Sequence, residues 1–213
     1  MRILAQVESL LAAAIGFDSA STGAASVKRA IIERMAACGL SDEDRYFELL
    51  AAGQEREALI ERIVVPETWF FRDSEPFRVL RRYVIEEWLP GCPSDPLRLL
   101  SLPCSTGEEP YSLAMTLFDC GLRPAQWRID AFDVSKAALT KAGQGLYGKN
   151  SFRGDELTFR DRYFHRSPNG YLLDEAVRRS VAFAPGNLFD PNFARVGKTY
   201  DIVFFRNLLI YFS

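Results

Sequence analysis

Two adjacent glutamates, Glu108 and Glu109, follow a short loop that contains a single glycine. Residues 97–102, before the loop, have the apolar pattern of a buried strand. Pro110 suits the first turn of a helix, because the N–H group that proline lacks needs no partner there. A strand, loop and helix in this order is where α/β folds bind nucleotides. The sequence therefore predicts a ligand site at this loop.

The two carboxylates limit the class of ligand. A phosphate binder offers bare backbone N–H groups at this position, whereas carboxylates repel a pyrophosphate and attract a cation. A nucleoside with positive charge and no phosphate fits, and S-adenosyl-L-methionine, with its sulfonium and ammonium groups, matches that description. From these residues alone the other interpretation, a strand–helix turn with solvated glutamates, stays open.

Polar side chains also follow three other predicted strands. Asp133 ends the second strand, where an acidic residue binds ribose hydroxyls in Rossmann-like sheets, although a solvated loop aspartate is the alternative. Asn187 and Leu188 follow the third strand, where a side-chain amide and a backbone N–H suit an adenine edge. Arg206 and Asn207 follow an apolar strand at the same carboxyl edge of the sheet.

The segment from Thr68 to Arg72 has three successive aromatic residues between its ends. Three neighbouring aromatics cannot all face one core, so some must cover a neighbouring surface or a ligand. Arg72 could hold a carboxylate with two parallel hydrogen bonds. The alternative is that this segment forms the hydrophobic seam between two domains.

Composition excludes several functional classes. The net charge of −2 over 213 residues argues against a binder of nucleic acid that relies on neutralising phosphates. No apolar run is long enough to span a membrane, and the N-terminus lacks the pattern of a signal peptide. Four cysteines without metal-ligand spacing indicate free thiols in a cytoplasmic protein. Because His165 is the single histidine, we expect no multi-histidine metal site in this chain.

The pattern of apolar residues changes near residue 90. Residues 1–88 have helical periodicity, with Ser41 as the expected N-cap of a helix that begins with three acidic residues. Residues 89–96 contain three prolines and one glycine and form the expected linker. Residues 97–213 alternate between strands and helices, which predicts a parallel sheet with helices on its faces.

Specific elements follow from this alternation. Asn169-Gly170 predicts a hairpin, and hence a small antiparallel insertion at about 155–183. The remaining predicted elements are strands at 97–102, 127–132, 180–184 and 202–205, and helices at 111–120 and 136–144.

Together these motifs resemble the CheR family, the glutamate O-methyltransferases of chemoreceptors, along nearly the whole chain. The order and spacing of the motifs make the resemblance specific. The residues from Val65 to Trp69 also resemble the Wsp-type subgroup. The matching motifs are Thr68–Arg72, Ser105–Ser112, Asp133, Asn187–Leu188 and Arg206–Phe212.

The resemblance implies a fold and a set of roles. The expected fold is α/β: an all-helical N-terminal domain, then a class I methyltransferase (Rossmann-like) sheet with an inserted antiparallel subdomain, its C-terminal strands absent. Of the two glutamates, Glu108 is favoured as the inward-facing one, and Tyr211 would lie beside the methyl acceptor, with Arg72 also able to orient it. The cofactor would be contacted by Thr68, Arg72, Glu108, Asp133, Asn187, Leu188, Arg206 and Asn207.

The implied reaction is methyl transfer from S-adenosyl-L-methionine to glutamate side chains of a chemoreceptor-like signalling protein. The expected partner is the cytoplasmic domain of a methyl-accepting receptor, with no nucleic acid and no membrane insertion. Two alternatives stay open, a cofactor-binding module without catalysis and a methyltransferase with a different acceptor. We also expect self-association through the edge of a sheet that ends after the fourth strand.

Overall fold

The computed structural model describes residues 1–17, 24–64, 66–91, 94–154, 156–193 and 199–206. These residues divide into two compact units. The first unit comprises residues within 1–65, 186–197 and 206–213, and the second comprises residues within 66–185 and 198–205. The division falls after residue 65, whereas the sequence predicted a linker at 89–96; the assignment of domains stays a prediction.

Among its described residues within 1–65, the first unit contains four helices. These are α1 (Leu4–Ile15), α2 (Ala24–Ala37), α3 (Glu43–Ala51) and α4 (Arg56–Ile63). The helices bury apolar residues at helical spacing, with α1 packing on α2 and α4 packing on both α2 and α3. A bidentate ion pair also joins α2 to the turn before α4, since Arg34 donates to Glu55 at 3.0 and 3.1 Å.

The N-cap of α3 differs from the prediction. Asp42 caps this helix, because its Oδ1 accepts hydrogen bonds from the backbone N–H groups of Asp44 and Arg45. The prediction of Ser41 was wrong by one residue. Aspartate and serine cap helices about equally well, so the sequence alone does not separate them here.

The second unit contains a parallel four-stranded sheet in the order β6-β2-β1-β7. Its strands are β1 (Leu97–Ser101), β2 (Trp127–Asp133), β6 (Val181–Pro185) and β7 (Ile202–Phe204). Helices α6 (Glu108–Asp119) and α7 (Lys136–Gln144) both pack on β2 and β6, and α5 (Glu75–Tyr83) packs on α6 and continues as a π-helix over Val84–Trp88. The predicted α/β class is confirmed. Helix α6 begins three residues earlier than expected, at Glu108.

A separate antiparallel sheet of three strands has the order β3-β5-β4. Strands β4 (Phe164–Ser167) and β5 (Gly170–Leu173) form the predicted hairpin, and β3 (Leu146–Tyr147) pairs with β5 outside the predicted range of the insertion. Short helices α8 (Thr158–Tyr163) and α9 (Glu175–Arg178) flank the hairpin.

Strand β7 is an outer strand of the parallel sheet in the part of the chain that the structure describes. It pairs with β1 on one side, and Val203 is 54% exposed. Nothing about this strand tests self-association, which stays a prediction.

Gly107 permits the tight turn between β1 and α6. Its φ of +94° is a backbone conformation that L side chains rarely adopt, and a Cβ there would lie 2.9 Å from Ala142 Cβ and 3.0 Å from the Tyr147 hydroxyl oxygen. Gly121 has a similar φ of +81°, but a Cβ there would meet nothing within 4 Å. The two glycines thus share a positive φ and differ in packing.

We therefore expect Gly107→Ala to lower the free energy of unfolding by about 2–4 kcal/mol, since it combines backbone strain with overpacking. Gly121→Ala, as the matched control, should lower it by only about 1–2 kcal/mol, the cost of the left-handed conformation alone. Urea titrations of both variants measure this difference. Equal losses at the two positions would contradict the close packing around Gly107.

Candidate functional site

The loop between β1 and α6 is tied to the carboxyl end of β2. The backbone N–H of Cys104 donates to Phe132 O at 2.8 Å, and that of Ser105 donates to Asp133 Oδ2 at 2.7 Å. Ser105 has a φ of +48°, which turns the chain towards Gly107. Because β1 and β2 are adjacent and parallel, both loops lie at the edge where open α/β sheets bind ligands.

Asp133 connects the loops that follow these two strands. Its side chain is only 3% exposed. Oδ2 accepts the hydrogen bond from Ser105, and Oδ1 accepts one from the backbone N–H of Ser135 at 2.9 Å. Charge-assisted hydrogen bonds of this kind offset the cost of burying a carboxylate. The aspartate is therefore fixed at the strand end, where the sequence predicted a ligand contact.

Glu108 is the buried member of the glutamate pair, with 2% exposure. Oε2 accepts a hydrogen bond from Thr106 Oγ1 at 2.6 Å, and Oε1 accepts one from Ser151 Oγ at 2.8 Å. Glu109 is half-buried and accepts a hydrogen bond from Ser101 Oγ at 2.8 Å. The inward orientation favoured for Glu108 thus agrees with the structure, whereas its role stays a prediction.

The segment from Thr68 to Arg72 is held against the same carboxylate. The Phe70 N–H donates to Ser151 O at 2.9 Å, and the Phe71 N–H donates to Ser112 Oγ at 3.0 Å. Ser112 Oγ in turn donates to Glu108 O at 2.7 Å. Two serines therefore hold this segment beside the first turn of α6.

The three aromatic residues of the segment have different surroundings. Phe70 is buried and contacts Tyr147, with ring centroids 4.8 Å apart, whereas Phe71 packs at the edge of the core against Phe77. Trp69 is half-buried, and the Arg72 guanidinium carbon lies 4.5 Å from its ring centroid. Phe70 and Phe71 thus pack on the same core and Trp69 does not, which confirms the prediction that the three side chains cannot all face one core.

Four of the predicted site residues belong to the second unit: Thr68, Arg72, Glu108 and Asp133. The contacts through Ser151 and the β1–α6 loop bring the Thr68–Arg72 segment, Glu108 and Asp133 into one network. Arg72 Nη1 donates to Glu67 O at 2.7 Å.

The other predicted residues differ in position or lie outside the description. Asn187, Leu188 and Arg206 belong to the first unit. The Asn187 side chain donates to Ala14 O at 2.7 Å and accepts a hydrogen bond from the Phe189 N–H at 3.0 Å. Asn207 and Tyr211 lie outside the described residues, and the functions of all five stay predictions.

Sequence reasoning missed two residues that organise the site, Ser151 and Tyr147. Ser151 contacts both Glu108 and Phe70. The Tyr147 hydroxyl donates to Thr106 O at 2.8 Å, and burial raises the pKa of Tyr147 well above its ordinary value, so the phenol keeps its proton. Neither residue belongs to a recognisable motif, because their partners lie about forty residues away in the chain.

The carboxylates at the loop suit a cationic ligand. Glu108 and Asp133 are both carboxylates, and burial strengthens their electrostatic effect on a nearby ligand. Across the described ranges, no cluster of three or more His, Cys, Asp or Glu side chains is arranged to hold a metal ion. None of the described helices combines the length and hydropathy that a membrane span needs.

Comparison with known proteins identifies the family. Residues 66–213 match the family described as "CheR methyltransferase, SAM binding domain". The chain belongs to the CheR methyltransferase family. The match confirms the predicted cofactor, S-adenosylmethionine (SAM), for this domain.

The likeness to the Wsp-type subgroup is also confirmed. The chain is 52% identical over 208 residues to "Probable biofilm formation methyltransferase WspC" of Pseudomonas aeruginosa, covering 97% of this chain and 49% of that protein. It is 50% identical to the protein of the same name in Pseudomonas putida, covering 93% of this chain and 47% of that protein. "Chemotaxis protein methyltransferase" of Escherichia coli is 33% identical, covering 86% of this chain and 64% of that protein. The chain spans about half the length of the two WspC proteins.

The buried carboxylate of this CheR domain has a consequence for stability. Burial raises the pKa of Glu108 above its ordinary value of 4.5, and the hydrogen bonds from Thr106 and Ser151 only partly oppose this. The folded state then binds the proton more tightly than the unfolded state. Protonation of Glu108 therefore contributes to the free energy of unfolding. This contribution is fully present below pH 4.5 and is lost as the pH rises through the raised pKa.

We therefore expect Glu108→Gln, which is neutral throughout, to become more stable relative to the wild type as the pH rises above 4.5. Urea titrations at several pH values measure the difference in the free energy of unfolding. Glu109→Gln, at the half-buried neighbour, is the matched control for the substitution itself. A difference between Glu108→Gln and the wild type that is constant with pH, or that falls as the pH rises, would contradict the raised pKa.

Proposed function

We propose that this chain transfers a methyl group from S-adenosylmethionine to glutamate side chains of a chemoreceptor-like signalling protein. The observation that carries the proposal is the pair of buried carboxylates, Glu108 and Asp133, at the carboxyl edge of a domain that matches the SAM-binding family. The printed names of the relatives, which refer to chemotaxis and biofilm formation, support a signalling protein as the acceptor.

The described residues suit distinct parts of the cofactor. Asp133 would hold the ribose hydroxyls, because it lies buried at the end of β2. Glu108 would supply negative charge next to the sulfonium and ammonium groups of the cofactor. Arg72 would pair with the carboxylate of the cofactor. Thr68 would contact the cofactor from the segment that Ser151 and Ser112 hold in place. When bound, S-adenosylmethionine supplies a methyl group that is activated by its attachment to a sulfonium.

A glutamate acceptor needs no general base, which agrees with the lack of a histidine among the predicted site residues. The ordinary pKa of a glutamate side chain lies well below 7, so the acceptor is already an anion at neutral pH. The single histidine, His165, lies 72% exposed on β4, near Asp174. The residues of the site need only hold the acceptor oxygen in line with the methyl carbon and the sulfur, and exclude water. Such positioning can lower a barrier by roughly 7–11 kcal/mol.

Two of the predicted residues would orient the acceptor. Arg72 and Tyr211 would each donate a hydrogen bond to the acceptor carboxylate. Too tight a pairing would lower the nucleophilicity of the reacting oxygen, so we expect these contacts to orient the carboxylate without enclosing it. A cytoplasmic location, with a receptor cytoplasmic domain as the partner, completes the proposal.

The direct test is transfer of tritiated methyl groups from S-adenosylmethionine to purified receptor cytoplasmic domains. We expect labelled protein that releases its label in mild base, as glutamate methyl esters do. Base-stable label would assign a different acceptor group. Cofactor binding without any transfer would assign a non-catalytic module, so both results would overturn the proposal.

We expect Asp133→Ala to weaken binding of S-adenosylhomocysteine by about 1.5–3 kcal/mol, the range for a hydrogen bond to a charged group. Asp130→Ala is the matched control, since Asp130 lies on the same strand and accepts a hydrogen bond from the Tyr200 hydroxyl at 2.9 Å. Calorimetry gives the dissociation constants, and thermal melting checks that both variants fold. An unchanged dissociation constant in folded Asp133→Ala would show that Asp133 does not hold the ligand.

A further inference from the structure

Trp69 contacts the guanidinium groups of two arginines. The guanidinium carbons of Arg72 and Arg153 each lie 4.5 Å from the centroid of its ring. We call these three residues the Trp69 clamp. Cation–π attraction favours each contact, whereas the two positive charges repel each other. The clamp therefore places two positively charged groups against one half-buried aromatic side chain.

The carboxylate of Glu67 neutralises the charge of Arg153 only weakly. Arg153 Nη1 lies 3.7 Å from Glu67 Oε1, and Arg72 Nε lies 4.0 Å from Asp73 Oδ2. Both acidic side chains are about two-thirds exposed, so water screens these pairs strongly. Among the described residues, the only hydrogen bond of Arg153 runs from Nε to Asn150 O at 3.2 Å. Its two terminal nitrogens thus keep donors for another carboxylate.

The clamp lies next to the network around Glu108. Trp69 precedes Phe70, whose N–H donates to Ser151 O, and Arg153 follows Ser151 by two residues. Ser151 Oγ donates to the buried Glu108 carboxylate. The Arg153 side chain is 47% exposed, compared with 22% for Arg72. Arg153 is therefore the more accessible guanidinium beside the candidate cofactor site.

We propose that Arg153, which stacks on Trp69, determines acceptor specificity by binding an acidic side chain that neighbours the methylated glutamate. This inference rests on the proposed function. A guanidinium binds a carboxylate through two parallel hydrogen bonds, and stacking on the indole holds the Arg153 guanidinium in place for this contact. The reacting carboxylate itself must keep an oxygen free, whereas a neighbouring carboxylate can be paired fully. The clamp thus selects acceptor segments that carry a second negative charge.

The test uses two synthetic peptides and the Arg153→Gln variant of the full chain. One peptide carries two neighbouring glutamates, and in the other a glutamine replaces one of them. Anisotropy of the labelled peptides, with S-adenosylhomocysteine saturating, gives their dissociation constants. Arg166→Gln is the matched control, since Arg166 is exposed on β4 and loses the same charge.

We expect Arg153→Gln to weaken binding of the two-glutamate peptide about fivefold, the size expected for a partly exposed ion pair, and to leave the other peptide unchanged. Added salt should reduce this difference. Arg166→Gln should match the wild type with both peptides. The dissociation constant of S-adenosylhomocysteine should be the same in all three proteins.

Three results would overturn the role of Arg153: wild-type protein that binds both peptides equally, a variant that loses equally with both, or a variant that loses with neither. Failure of the proposed function would look different. In that case the wild-type protein distinguishes the peptides but transfers no methyl group to either. Methyl transfer with the loss confined to KM for the two-glutamate peptide would support both.

Discussion

The buried carboxylate of Glu108 constrains more of this site than any other single group. A charge that is taken out of water is costly unless hydrogen bonds replace its hydration. Here the replacements come from separate parts of the chain, since Thr106 lies in the β1–α6 loop and Ser151 lies in a 3-10 turn more than forty residues later. Satisfying one carboxylate therefore fixes the loop, the turn and, through the Ser151 carbonyl, the segment at Phe70.

The parallel sheet turns that local network into a ligand site. Pairing of β1 with β2 brings their carboxyl ends together, and Asp133 bridges the two loops that follow. Positive φ angles at Ser105 and Gly107 let the chain turn sharply between β1 and α6. The aromatic cluster around Phe70 then anchors the Thr68–Arg72 segment to the core. Trp69 and its two arginines are left at the boundary with solvent.

Much of this arrangement could be predicted because its signals are local. Apolar runs alternating with helical segments predict the parallel sheet, and Asn169-Gly170 predicts the hairpin between β4 and β5. The roles of Ser151 and Tyr147 could not be predicted, because their partners are distant in sequence and neither residue type is distinctive. Strand β3 has only two residues, too few to show a period. The cap at Asp42 was missed because the preceding serine is an equally good candidate.

Glu108 and Asp133 would make this a site for a cationic nucleoside without phosphate. Parallel calorimetric titrations of the chain with S-adenosylmethionine and with adenosine diphosphate test it most directly, because both ligands offer adenine and ribose and they differ in charge. The account predicts binding of S-adenosylmethionine and no measurable binding of adenosine diphosphate. Comparable affinity for the diphosphate, or no heat with S-adenosylmethionine, would contradict it.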